Sequence, residues 1–248
     1  MTIDVEAAAA TLDRAALDAR AVPQFGAGLD LETAYLVQAA LMARRLARGE
    51  RRVGTKLGFT SKAKMLQMGV KDLIWGTLTD AMLLADGGRL DMARFIHPRV
   101  EPEIAFLLCR PLAGEVSREA ALGAVAAVAP ALEIIDSRYA AFKFSLSDVV
   151  ADNSSSAALV IGDWQADFGA LDDVPMRLLF DGAVVQAGSS AAIMGHPLDA
   201  LVAAARLAPL AAGDIVLAGA ATAAEALRPG VRVRVEADGL GAAGFVVG

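Results

Sequence analysis

The sequence predicts an α+β fold, and three features of its pattern predict it. Helix-forming segments come first, hairpin-linked strand patterns dominate the remainder, and the few helices inserted among them do not alternate with strands as βαβ units require. Val5 to Arg20 is alanine-rich and helical by propensity, and Pro23 to Gly28 is a loop. Asp30 is placed to cap a second helix from Leu31 to Arg48, with Ala34, Val37, Leu41 and Met42 along one side and Gly49 closing it. Arg44, Arg45 and Arg48 suit the negative end of that helix's dipole. Val53 to Ser61 reads as a short strand bracketed by glycines, running into a helix at Lys62 to Met68. Asp86-Gly87-Gly88 is a turn, and Arg99 to Leu108 is a strand rich in large apolar side chains. Ser117 caps a predicted helix from Arg118 to Ala129, which Pro130 stops. Asp148 to Ser156 is a run of small polar turn formers that leads into a strand ending at Ile161. Met176 to Phe180, Asp181-Gly182 and Ala183 to Gln186 form the clearest hairpin, with the turn residues that type I′ favours. His196-Pro197 opens a helix to Leu207, and Ile215 to Leu217, Val231 to Glu236 and Phe245 to Val247 are strands. The pattern divides into a helix-rich part at 1–75 and a β-rich catalytic part at 76–248.

A chain of 248 residues can bury a substantial core. Its formal charge of −6 argues against nucleic acid or an anionic membrane as the main partner. The longest apolar run, Ala120 to Leu132, contains Gly123 and Pro130 and is too short to cross a bilayer. Acids at Asp4 and Glu6 stand where a signal peptide needs positive charge. The single cysteine, Cys109, comes after an apolar strand and reads as a small buried hydrophobe in a reduced compartment. A cytoplasmic location is the expectation.

The chemistry centres on acids. Glu101 and Glu103, two apart in a strand, project the same way. Two adjacent carboxylates stay ionised only if a cation compensates them, and a hard divalent ion with oxygen ligands is the natural one. Solvent-exposed acids at a strand end are the competing reading. Glu133 tips the balance, because an acid inside Pro130-Ala131-Leu132-Glu133-Ile134-Ile135 needs a partner or a metal. Three carboxylates on two strands make a metal site with room for a bidentate substrate. Lys56 is the one cation of its strand, read either as a snorkelling surface lysine or as a charge aimed at a bound oxyanion. Gly239-Leu240-Gly241-Ala242-Ala243-Gly244 has dinucleotide-fingerprint spacing but leaves no room for the helix that must come after it, so it reads as a hairpin turn. His97 and His196 each precede proline and lack zinc-pair spacing.

Four motifs together resemble a known family. They are Gly54-x-Lys56-x-Gly58-x-Thr60-Ser61, Val100-Glu101-Pro102-Glu103-Ile104-Ala105-Phe106, Pro130 to Arg138, and Val150-Ala151-Asp152-Asn153-Ser154-Ser155-Ser156. The set resembles the 4-oxalocrotonate decarboxylase and 2-keto-4-pentenoate hydratase group of the fumarylacetoacetate hydrolase superfamily. The resemblance implies a mixed β-sandwich roll with a smaller helix-rich N-terminal part. It implies Glu101, Glu103 and Glu133 as Mg²⁺ or Mn²⁺ ligands, Lys56 as catalytic residue, and Ser61, Asp152, Asn153, Ser155 and Thr222 around a 2-oxo acid substrate. Arg138 or Lys143 is expected to orient the substrate's far carboxylate. A homo-oligomer, with a related hydratase as candidate partner, is also implied. Thr60 to Val70 and Asp136 to Phe144 resemble the decarboxylase form, and Ile74 stands where hydratases carry an acid able to orient a water. The implied reaction is metal-dependent decarboxylation of 2-oxohex-3-enedioate to 2-hydroxypenta-2,4-dienoate, in meta-cleavage degradation of aromatic compounds. Hydration of 2-hydroxypenta-2,4-dienoate is the alternative, and a non-catalytic oxo-acid binder the third reading. Ala220-Ala221-Thr222 and Val231 depart from the family pattern.

Overall fold

A computed structural model describes residues 3–60 and 73–248. The predicted helix at Lys62 to Met68 therefore lies outside the described residues. Helix α1 (Val5–Leu17) starts where Asp4 accepts from the Ala7 amide and ends short of Arg20, because Ala19 turns left-handed. Helix α2 (Leu31–Ala47) is capped by Asp30 as expected, and Gly49, at φ +98°, closes it. The arginines in its last turn do more than meet a dipole. Arg44 and Arg48 both bind Asp13 of α1, Arg48 through two bonds of 2.7 and 2.8 Å, and Arg45 binds Glu50. They clamp the helix pair.

The strands are β1 (Arg52–Gly58), β2 (Ile74–Thr79), β3 (Leu83–Leu84), β4 (Arg89–Leu90), β5 (Arg99–Leu108), β6 (Val125–Ile135) and β7 (Ser156–Ile161). They continue as β8 (Pro175–Phe180), β9 (Ala183–Ser189), β10 (Ile215–Ala220), β11 (Glu225–Ala226), β12 (Arg232–Ala237) and β13 (Gly241–Val247). Short helices α3 (Arg118–Gly123), α4 (Leu146–Ala151) and α5 (Pro197–Leu207) sit between them. An eight-stranded sheet runs β2-β1-β10-β5-β6-β7-β3, with β11 also pairing β5, and a five-stranded sheet runs β4-β13-β12-β8-β9. Val100, Ile104 and Phe106 of β5 share one core with Val233, Val235 and Phe245 of the second sheet. The other face of the large sheet, where Ala105, Ala131, Leu159 and Leu217 cluster, carries the acids. β1 pairs with β10, so the large sheet takes in a strand from ahead of residue 75.

One segment departs from expectation. The helix predicted for Arg118 to Ala129 ends at Gly123, and Val125 to Ala129 is the first half of β6. Alanine's helix propensity is weak beside the burial available to a central strand covered on both faces. Pro130 does not stop this element; it lies inside it. Its carbonyl accepts from Gly162, beyond the end of β7, and that of Pro102 accepts from Ala221, just past β10, whose register with β5 shifts between Leu217 and Ala220. Each missing N–H thus falls where the neighbouring ladder is already interrupted. Asp148 to Ser156, expected as turns, overlaps α4. The Asp181-Gly182 turn has φ of +50° and +83°, as type I′ requires. Cys109 is exposed, contrary to the buried reading. Among the described residues no helix is long and apolar enough to cross a membrane.

Helix α5 offers a test of stability against pH. His196 caps it by accepting the Leu198 amide on Nδ1, which requires a neutral ring. Partial burial, and then Arg118, lower its pKa from the ordinary 6.5. Below 6.5 the unfolded chain takes up the proton before the folded one, so stability is full above that pH and declines as pH falls through the depressed value. Thermal unfolding of the cation-loaded protein, in which the buried acids stay ionised, is expected to show that decline across this range, kept modest by solvent screening. Replacing His196 by Asn, a non-titrating cap, should flatten it.

Candidate metal centre

Strand pairing builds the site. In the β5–β6 ladder Glu101 stands directly opposite Glu133, with Glu103 two residues along on the same face. Like charges facing each other across a ladder repel. All three carboxylates are buried, Glu101 at 7% exposure and the other two at 0%, and ligand atoms from the three lie within 4.8 Å of one another. Lys56, 3% exposed, comes from β1. Its Nζ lies 3.1 Å from Glu133 Oε1 and donates to Oε2 at 3.2 Å. The surface-lysine reading is thereby excluded. Glu103 Oε2 accepts the Gly219 amide at 2.8 Å, whereas its Oε1, fully buried, accepts nothing among the described residues.

Gly219 has to be glycine. Its φ is +109°, and a Cβ there would lie 2.2 Å from Thr60 Oγ1. That conformation aims its N–H at Glu103.

Burial raises the Glu103 pKa well above the ordinary 4.5, and the Glu133 and Glu101 charges push it further, against the pull of Lys56. Glu133 is raised too, chiefly by burial, with Lys56 opposing. Lys56 pairs with Glu133, and that single charge does not neutralise both Glu133 and the buried Glu103. The donor set is all-oxygen and anionic, and Glu103 Oε1 and Glu133 Oε1 are buried without a hydrogen-bond partner among the described residues, so the residues fit a hard divalent cation.

Several expected substrate contacts are otherwise employed. The Asp152 carboxylate accepts from both the backbone amide and Nε of Arg138, and Arg138 Nη2 donates to the Asp152 carbonyl. Burial pushes Asp152 up to about 6 even so. Asn153 clamps β2 through two bonds to Thr77, of 2.8 and 2.9 Å, and Ser154 Oγ donates to the Trp75 carbonyl. These bonds brace the site, and the Arg138 guanidinium is paired with Asp152. Asn153, Ser154 and Ser155 all have positive φ, a strained run that these bonds hold in place. Replacing Asn153 by Ala is expected to cost about 2 kcal/mol in urea unfolding, from an orphaned Thr77 amide and a released turn; no change would assign the turn's stability elsewhere.

Of the remaining predicted residues, Ser155 keeps a buried hydroxyl without a hydrogen-bond partner among the described residues. Thr222 lines a cavity of about 300 Å³ together with Glu101, Phe59 and Thr60. Lys143 is exposed, and Ser61 lies outside the described residues. Ser156 is a residue that sequence reasoning misses: it is buried close enough to Glu133 to lower that acid's pKa, against the rise that burial causes. Its only signal is its position, last in a polar run and first in a strand.

Fold and site together define a class: an enzyme scaffold whose buried strand carboxylates, beside a lysine, suit a hard divalent cation. The model of the fumarylacetoacetate (FAA) hydrolase C-terminal family matches residues 53–247. The chain belongs to that family. It is 53% identical over 241 residues to a 4-oxalocrotonate decarboxylase of a Pseudomonas species, covering 94% of each chain. It is 36% identical over 250 residues to 2-keto-4-pentenoate hydratase 1 of Dechloromonas aromatica, covering 96% of this chain and 95% of that one. A solved structure, 4-oxalocrotonate decarboxylase from Pseudomonas putida G7 complexed with magnesium and adipate, superposes with a TM-score of 0.95 at 35% identity, covering 98% of this chain and 97% of that one. These relatives are lyases of two kinds, and this chain is an enzyme of their group.

Proposed function

We propose that the protein is a carboxy-lyase that converts 2-oxohex-3-enedioate to 2-hydroxypenta-2,4-dienoate and CO₂, using Mg²⁺ or Mn²⁺ held by Glu101, Glu103 and Glu133. The observation that carries the proposal is the buried carboxylate triad with Lys56 at its edge, in a chain whose full-length relatives include decarboxylases. Ile74 supports this choice over hydration. It packs, buried, in an apolar cluster with Tyr139 and Val150, where an isoleucine cannot orient a water.

In the reaction the C5–C6 bond breaks and C6 leaves as CO₂. Its electron pair moves through C4 and C3 to the C2 oxygen, giving a dienolate that takes one proton. A bound divalent cation supplies Lewis acidity at that oxygen. Lys56 adds a positive charge and a deliverable proton at the same end. Its pairing with Glu133 holds the ammonium in place before the charge develops. Phe59, Thr60 and Thr222 border the cavity next to Glu101 and give the substrate its approach.

The test sets the diacid and 2-hydroxypenta-2,4-dienoate side by side. Trapped CO₂ from the diacid is expected. Consumption of the dienoate without CO₂ release from the diacid would make the protein a hydratase, and no turnover of either would leave a binder. The proposal extends to a homo-oligomer, with a related hydratase as partner. Edge strand β9, with Val184 and Val185 exposed, is an open ladder suited to such contact, and light scattering of the protein alone and mixed with a hydratase reads it out.

A further inference from the structure

The decarboxylase reading needs a group that holds the carboxylate about to leave, and Arg138, spent on Asp152, does not supply it. Arg99 opens β5, and the period of two puts it on the face of Glu101 and Glu103. Two residues of strand span about 6.6 Å. From C2 to C6 of an extended six-carbon diacid is four carbon–carbon bonds, roughly 5 Å. A diacid gripped at the triad by its 2-oxo end and laid along β5 toward the start of the strand spans most of the distance to Arg99.

The surroundings of Arg99 suit that task. Its guanidinium carbon lies 4.7 Å from the centroid of the Phe142 ring, and no carboxylate pairs with it among the described residues. Stacking on an aromatic face fixes the plane of the fork and leaves its edges open. Arg99, Phe142 and His97 line one cavity of about 310 Å³, and His97 Nε2 is buried there without a partner among the described residues. The charge of the far carboxylate disappears as CO₂ forms, so a tight ion pair would stabilise the substrate more than the transition state. An exposed arginine on a ring orients it with a screened attraction.

We infer that Arg99, seated on Phe142, receives the distal carboxylate and sets the preference for a diacid over a monoacid. The inference rests on the decarboxylase reading, but its test is a binding measurement. With Mg²⁺ present, dissociation constants are measured for 2-oxoadipate and 2-oxohexanoate, which differ by that carboxylate alone. Arg99→Gln is expected to weaken 2-oxoadipate about 10- to 100-fold and to leave 2-oxohexanoate unchanged, with Arg99→Lys intermediate because lysine keeps charge without the fork. A diacid preference that survives Arg99→Gln, an equal loss for both ligands, or a preference lost in Lys143→Gln in place of Arg99→Gln would each overturn it. Absence of CO₂ release from the diacid substrate, with the binding result intact, would instead strike the decarboxylase reading alone.

Discussion

Replacing Glu103 by Gln should abolish CO₂ release and, at the same time, stabilise the cation-free protein. Activity is expected to fall on the order of 10³-fold or more, because the Lewis acid at the reacting oxygen loses a buried ligand. Stability is expected to move the other way, by about 1–3 kcal/mol, since the variant no longer buries an acid against Glu101 and Glu133. The amide keeps an oxygen for the Gly219 N–H. The pH dependence has a definite sign. Burial raises the folded-state pKa of Glu103 above 4.5, so the folded chain holds the extra proton longer than the unfolded one. Cation-free stability should therefore fall as pH rises from 4.5 through the raised value, and divalent cation should restore it. Chemical denaturation with and without chelator, alongside trapped CO₂, checks both halves. Undiminished activity in chelator or in the variant eliminates the metal role.

Lys56→Met is expected to lower turnover by about 10²- to 10⁴-fold, the range set by loss of a proton donor and of a fixed charge at a developing oxyanion. Unlike Glu103→Gln, it should also destabilise the cation-free protein, by about 3–5 kcal/mol, because Glu133 loses the cation it touches in a buried setting. The two variants thus agree in activity and disagree in stability. A purely structural Lys56 would lose stability and, once divalent cation had restored the fold, turn over like the parent. Measuring kcat at saturating Mg²⁺ separates the cases.

How much of the fold and site is legible in the chain depends on how local each signal is. The acids are legible because a period of two and an apolar run constrain a charged side chain strongly, and burial makes the constraint stricter. The caps at Asp4 and Asp30 and the Asp181-Gly182 turn depend on a few neighbouring residues, and those neighbours are in the sequence. Asp30 and the turn stand out there; the cap at Asp4 does not. The first half of β6 is not legible: Val125 to Ala129, held between strands, shows neither period, so alanine's propensity is the only local information. The polar run at Asp152 to Ser155 signals importance without saying which kind. Its partners Arg138, Thr77 and Trp75 are distant or unremarkable in sequence, and only folding reveals that they occupy its hydrogen bonds. Arg99 is easily overlooked because its neighbour Glu101 draws the attention, although the same alternation places both.

The direct opposition of Glu101 and Glu133 bears on how much of this enzyme a cell can keep usable. The strand pair at the heart of the large sheet resists its own closure, so the ion that serves turnover also acts as a thermodynamic ligand of the native state. Its contribution grows with the logarithm of free concentration over dissociation constant, about 2.7 kcal/mol at a hundredfold excess. Starvation for divalent ions would then deplete the pool of folded molecules as well as silencing those that remain, coupling abundance to mineral supply without any dedicated regulator.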